Sequence, residues 1–216
     1  IETILGHTPA DRQTALFSAT FPPRIESLAQ AHLRDPLRLT TESPRQASAQ
    51  VSQSAYLVRR SHKVAALDRL LDLQAPEAAI IFCRTRLDVD ALTEELALRG
   101  FRPQALHGGL SQAQRDRVMA LFRQGGAELL IATDVAARGL DVDHVTHVVN
   151  FDIPESPQAY VHRVGRTGRA GREGTALTLV DPRERRQLGF IARITGQRID
   201  RRYLPTLDEL EAAHQD

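Results

Sequence analysis

The run Ala78-Ala79-Ile80-Ile81-Phe82-Cys83 contains no charged or amide side chain. A strand with one face in water alternates apolar and polar residues. A strand that is apolar throughout is covered on both faces, as in parallel sheets. A helical pattern follows over 86–99, and the same alternation recurs along the chain. Strand-like runs at 54–58, 103–106, 128–132, 145–150 and 175–180 interleave with helical patterns at 61–73, 111–123, 157–163 and 183–195. This predicts an α/β fold, a doubly wound and mostly parallel sheet with helices on both faces. Functional groups are then expected at the carboxyl ends of the strands.

The ends read differently. Ala15-Leu16-Phe17 reads as a short strand leading into Ser18-Ala19-Thr20. Pro22-Pro23 opens a helix through Ile25, Leu28, Ala29 and Leu33, stopped by Asp35-Pro36. Residues 41–50 hold no large apolar side chain and carry a proline, a linker composition. Residues 200–216 read as a short terminal helix over 207–213 after Pro205. The organisation expected is therefore 1–40, a linker at 41–50, and a main domain over 51–216.

Composition narrows the function classes. The chain has 216 residues and a net charge of +1, so any nucleic-acid-binding surface must be local. No apolar stretch approaches 18 residues and no signal-peptide pattern is visible, so neither a membrane span nor secretion is expected. The single Cys83 sits in an apolar run and fits a reducing, cytoplasmic setting. Lys63 is the only lysine, and it stands in Arg59-Arg60-Ser61-His62-Lys63-Val64 without a glycine nearby. A P-loop needs Gly-x-x-x-x-Gly-Lys-Ser/Thr, so this sequence contains none. If it handles a nucleoside triphosphate, the main phosphate cradle is on another domain.

The strongest chemical signal is the string His162-Arg163-Val164-Gly165-Arg166-Thr167-Gly168-Arg169, continued by Ala170-Gly171-Arg172. Arginine falls at every third position, with glycines between. Guanidinium forks match phosphate oxygens, and glycine lets backbone approach a ligand closely. The string reads as a comb that grips a polyphosphate. His107-Gly108-Gly109 with Gln112 and Arg115 reads either as a phosphate-binding turn at a helix start or as an ordinary strand-to-helix turn. Thr133, Gly139 and Asp141 follow the strand at 128–132. Small residues there allow close approach, and Asp141 suits either a ribose diol or a loop cap. His144-x-x-His147 has a metal-like spacing without a cysteine, and reads as structural.

Taken in order, these pieces resemble the DEAD-box RNA helicases. Ser18-Ala19-Thr20 is similar to motif III, and Ile80-Ile81-Phe82-Cys83-Arg84-Thr85 to motif IV. His107-Gly108 with Gln112-x-x-Arg115 is similar to the segment between motifs IV and V. Residues 133–141 are similar to motif V, and 162–169 to motif VI. The similarity covers about residues 12 to 180. Motif VI opens on His rather than Gln, which favours the DEAD-box branch over related DNA and viral helicases. Gly109 stands where many members carry Asp. The family's Q motif, P-loop and Asp-Glu-Ala-Asp box are absent from this sequence. The resemblance therefore implies a second RecA-like domain, preceded over 1–40 by the last strand and helix of the first. Arg183-Glu184-Arg185-Arg186 and Pro205-Thr206-Leu207 are similar to bacterial cold-shock or ribosome-assembly members, some of which continue into a C-terminal extension.

The resemblance implies roles. Arg166 and Arg169 would be arginine fingers on ATP, Asp141 and Gly139 would meet the nucleotide, and His162 would link motif VI to motif III. Gly108, Gln112, Arg115, Thr133 and Arg84 would contact RNA. Ser18 and Thr20 would couple hydrolysis to unwinding. ATP and RNA are the implied ligands, and the first RecA-like domain of the same protein is the implied partner. Mg²⁺ would be held by that domain, with no metal ligands here. The isolated fragment would not turn over ATP. A helicase-like binding module and a DNA-directed helicase remain the rival readings.

Overall fold

The computed structural model describes residues 2–18, 21, 23–39, 51–137, 140, 142–169 and 171–204. The chain divides into two units, Ile1–Glu42 and Ser43–Asp216. Thr20, Gly139, Asp141, the expected linker and the expected helix at 207–213 lie outside the described residues.

In the first unit, α1 spans Glu2–Gly6 and α2 spans Pro23–His32. Pro23 opens α2, where a missing N–H costs nothing. The strand expected over 15–17 does not form, and Phe17 is 94% exposed. A strand needs a ladder partner, and the described residues of this unit include no second strand. Ser18 is exposed.

In the second unit, β1 (Val51–Leu57) leads through a 3-10 turn at Arg60–His62 to α3 (Lys63–Gln74). Then follow β2 (Ala79–Phe82), α4 (Arg86–Leu98), β3 (Pro103–Leu106) and α5 (Gln112–Arg123). Next are β4 (Leu129–Ala132), β5 (His147–Asn150), α6 (Pro157–Val164) and β6 (Gly174–Val180). The described part ends with α7 (Arg185–Thr195) and β7 (Asp200–Arg202). The sheet order is β3-β4-β2-β5-β6-β1-β7, and every pairing is parallel. The doubly wound parallel sheet expected from the strand–helix alternation is observed, and it is the RecA-like fold that the resemblance implies.

Helix starts follow local chemistry. Thr85 accepts from the Asp88 N–H at the start of α4. Ser111 and Gln114 form a reciprocal capping box at α5, and Ser156 caps α6 ahead of Pro157. Successive strand residues point to opposite faces. Ile81, Cys83, Ile131 and Val149 pack with Leu67 and Leu70 of α3 and Leu92 and Leu96 of α4. Ile80, Phe82, Leu130 and Val148 pack on the other face with Met119 and Phe122 of α5. Ala176 and Val180 of β6 meet Tyr160 of α6 and Ile191 of α7. The sheet is thus covered on both faces, which is why β2 reads as apolar throughout.

Strand β7 was not expected from the sequence. Asp200-Arg201-Arg202 has no strand composition. It forms because it pairs in parallel with Ser54, Ala55 and Tyr56 of β1 at the sheet edge.

A candidate nucleotide and nucleic-acid site

From β2 the chain turns to β3 and β4 on one side, then crosses to β5 and β6 on the other. Such a reversal is where doubly wound sheets open a crevice at their carboxyl ends. Here that place holds the Arg163 guanidinium. Its Nε and Nη2 donate to the two carboxylate oxygens of Asp134 at 2.6 and 2.8 Å. Its Nη1 donates to Asn150 Oδ1 at 3.0 Å and to the Asp152 carbonyl at 2.7 Å. The Phe82 ring lies 5.0 Å from its Cζ. Asn150 in turn donates to Thr178 Oγ1 at 3.1 Å. Arg163 is only 3% exposed, so it is not a tooth of a phosphate comb. Helical periodicity explains the difference: Arg163 lies on the inward face of α6 with Tyr160 and Val164.

Around this lock the carboxyl ends of β3, β4 and β2 present the expected nucleic-acid contacts. After β3, His107 is buried. Its Nδ1 accepts from the Gly109 N–H at 3.1 Å, so Nε2 carries the proton it donates to Asp90, 2.8 Å away. This pins the turn while leaving Gly108 exposed, with nothing within 4 Å of where a Cβ would stand. The Arg115 guanidinium reaches from α5 to the Ala136 carbonyl at 3.2 Å, tying α5 to the loop after β4. Thr133 donates its N–H to the Leu106 carbonyl at 3.3 Å. Exposed Gln112 donates to Asp116 at 2.8 Å. After β2, Arg84 donates its N–H to Asp152 at 3.0 Å and its guanidinium to Glu184 at 3.1 Å.

Lys63 underlies this edge. It is 2% exposed, and its Nζ donates to the Phe151 carbonyl at 2.7 Å and to Asp152 Oδ1 at 3.3 Å. Asp152 therefore joins three basic residues, accepting from Lys63 and Arg84 through its carboxylate and from Arg163 through its carbonyl. The uniqueness of Lys63 was visible in the sequence, but its partners are far from it in sequence.

Of the two remaining motif VI arginines, Arg166 lines one small pocket together with His162, Arg163, Asp134, Ala137 and Phe82. Thr167 is buried, and its hydroxyl is shared between the Val145 and Thr146 carbonyls at 2.7 and 2.9 Å. Those residues precede β5, so Thr167 is anchored toward the amino ends of β5 and β6. Gly168 sits at φ +67°, and a Cβ would stand 2.5 Å from the Val51 side chain. A Cβ on Gly174 would stand 2.6 Å from the Gly168 nitrogen. Arg166, half-buried, donates from Nε to the His162 carbonyl at 3.2 Å and from Nη1 to Leu140 at 2.8 Å. Arg169, also half-buried, donates from Nε to the Gly165 carbonyl at 2.9 Å. His162 is exposed on α6.

Other groups are structural. Burial pushes the Cys83 thiol far above its ordinary range, so it is no nucleophile. Burial also pushes the Tyr160 phenol up to about 12, and its hydroxyl donates to Gln53 at 3.0 Å. The His144 ring tilts against Phe122 with centroids 5.4 Å apart, whereas His147 Nδ1 lies 2.9 Å from the Thr146 hydroxyl. Among the described residues no three His, Cys, Asp or Glu side chains gather as metal ligands, and no helix is long and apolar enough to cross a membrane.

Comparison with known proteins agrees with this construction. The helicase conserved C-terminal domain family matches residues 62–171. The chain belongs to that family, in its DEAD-box branch. It is 50% identical over 209 residues to the DEAD-box ATP-dependent RNA helicase CshA of Geobacillus kaustophilus, covering 97% of this chain and 45% of that protein. The chain thus spans less than half the length of that relative. Among solved structures, S. cerevisiae Dbp5 bound to RNA and ADP BeF3 superposes with a TM-score of 0.84 at 30% identity, covering 98% of this chain and 57% of that one. The C-terminal domain of Dbp5 gives a TM-score of 0.69 at 32% identity, covering 77% of this chain and 98% of that domain.

Proposed function

We propose that this chain is the C-terminal half of an ATP-dependent RNA helicase that acts in the cytoplasm. In this reading residues 1–40 are the tail of a first RecA-like domain, 41–50 the linker, and 51–216 the second RecA-like domain. The observation that carries the reading is the loop after α6. Two half-buried arginines leave a backbone held rigid by Thr167, Gly168 and Gly174. Guanidiniums on a preorganised loop can stabilise charge on a transferring phosphoryl group without reorganising at that moment. The phosphate cradle and the Mg²⁺ ligands belong to the other RecA-like domain, so Arg166 and Arg169 act only when the two domains close on ATP. Asp141 and Gly139 meet the nucleotide. His162 links this loop to motif III, where Ser18 and Thr20 couple hydrolysis to unwinding.

The open edge supplies the RNA contacts. Gly108 offers backbone without a side chain in the way. Arg115, Thr133, Gln112 and Arg84 surround the path. Contacts of this kind go to sugar and phosphate and carry no base preference. Arg163 serves neither ligand directly. It ties the loop after β4 to α6, so movement at the RNA edge is felt at the arginine loop.

The test is ATP turnover by the complete protein with and without RNA. Arg166→Ala and Arg169→Ala should each lower turnover by about 10³-fold or more, the scale of an arginine finger, or roughly 4 kcal/mol of transition-state stabilisation. RNA binding should be largely kept. The 216-residue chain by itself should show no turnover. Normal turnover in Arg166→Ala would remove that residue from the role.

A further inference from the structure

The carboxyl edge of the sheet does not end at the candidate RNA contacts. Beyond β2 come β5, β6, β1 and β7. Four steps of about 4.8 Å place β7 roughly 19 Å from β2 along that edge. Arg59 and Arg60 follow β1, and Arg183 follows β6; all three are exposed. At the far end lies a groove of about 540 Å³ between β1, α7 and β7. Its walls include Tyr56, Leu57, Arg185, Arg202 and Tyr203. Tyr203 is 98% exposed, although an aromatic ring normally seeks cover. Arg185 and Arg201, which also lines the groove, are exposed as well. In the β1–β7 ladder Arg202 pairs with Tyr56 and Arg201 with Ala55, so the Arg201 side chain shares the α7 face of the sheet with Leu188.

Acidic groups along the edge are engaged. Asp181 accepts from the backbone N–H groups of Arg60 and Arg183 at 3.0 Å each. Glu184 accepts from Arg84, and lies 3.9 Å from Lys63. The exposed charge left along this path is therefore mainly guanidinium, complementary to phosphate.

We propose that this groove is a second single-stranded RNA contact, in which Tyr203 stacks on a base and Arg185 and Arg201 hold the flanking phosphates. It extends the path past Gly108, Thr133 and Arg84, and so rests on the RNA reading of that edge. An exposed aromatic ring flanked by arginines is the usual means of holding single strands without reading sequence. The apolar floor formed by Ala55, Leu57 and Leu188 suits a base face more than a bare phosphate.

The experiment measures binding of the complete protein to single-stranded RNAs of about 5 and about 16 nucleotides, spanning the usual range of single-strand site sizes. Tyr203→Ala with Arg201→Ser should weaken the longer RNA by on the order of tenfold and leave the shorter one unchanged. Arg185→Ser, on a different element, should show the same length dependence with a smaller effect. ATP turnover at saturating RNA should be unaffected. Equal loss on both lengths would overturn the proposal, since the groove would then support the fold and not extend the path. No loss on either length would also overturn it and leave the groove to an acidic protein segment. Arg115→Ala separates this from the parent reading: if it leaves the short RNA unweakened, the edge reading itself fails.

Discussion

Two glycine-bearing turns of this domain use the same residue for opposite ends. The turn after β3 exposes Gly108 to open space, with its geometry supplied by His107 beneath. The loop after α6 is closed, and Gly168 and Gly174 are required because a side chain would strike Val51 or the loop's own backbone. The first leaves its backbone open to the surroundings. The second is packing that fixes how two arginines leave the backbone. A glycine in a motif can therefore mean access or rigidity, and what a Cβ would meet tells them apart.

The largest test of this contrast is the lock between the two regions. Arg163→Ala leaves Asn150 Oδ1 and the Asp152 carbonyl without their donor and should destabilise the domain by about 2–4 kcal/mol, since an unsatisfied buried polar group costs about 1–3 kcal/mol. Chemical denaturation would show it as a lowered midpoint, and an unchanged midpoint would mean that the network is not structural. Gly174→Ala comes next. Its clash is with backbone, which cannot yield cheaply, so a loss of roughly 1–3 kcal/mol is expected. Gly108→Ala should stay within about 0.5 kcal/mol of the parent in stability. Its RNA affinity should nevertheless fall by about tenfold, the scale of one lost contact. If Gly108→Ala proved as unstable as Gly174→Ala, the distinction between the two turns would collapse.

The smallest effect is a pH dependence beside the closed loop. Burial lowers the His147 pKa below the ordinary imidazole value of about 6.5. The folded state thus favours the neutral ring, and its contribution is fully present above the unfolded pKa. It is lost as pH falls from about 6.5 through the lower folded value, because the unfolded chain takes the proton first. Lowering pH from about 7 to about 5.5 should reduce Tm by on the order of 1 °C through this group, and His147→Asn should remove that part of the slope. A slope unchanged in the variant would assign the effect to other groups.

Much of the fold was legible because its signals are local. The apolar run at Ile80 and Ile81 reports burial on both faces, and Thr85, Ser111 and Ser156 announce helix starts through bonds to residues three positions on. The strand at 15–17 and β7 failed for one shared reason, that a strand exists only with a partner. Ala15-Leu16-Phe17 has the composition and no ladder among the described residues of its unit, whereas Asp200-Arg201-Arg202 lacks the composition and has Ser54, Ala55 and Tyr56 beside it.

The sequence by itself established the motif order, the absence of a P-loop and the candidate residues at each turn, since all of these are matters of residue type and spacing. The tertiary structure decided which arginine does what. Arg163, Arg166 and Arg169 are equivalent as letters in a three-residue rhythm. A helix turning 100° per residue and then ending at Gly165 sends the first into the sheet's crevice and leaves the other two half-exposed on a loop. Their separation depends on Asp134, Asn150 and Asp152, which lie 29, 13 and 11 positions from Arg163 and are gathered around it only by the folded sheet.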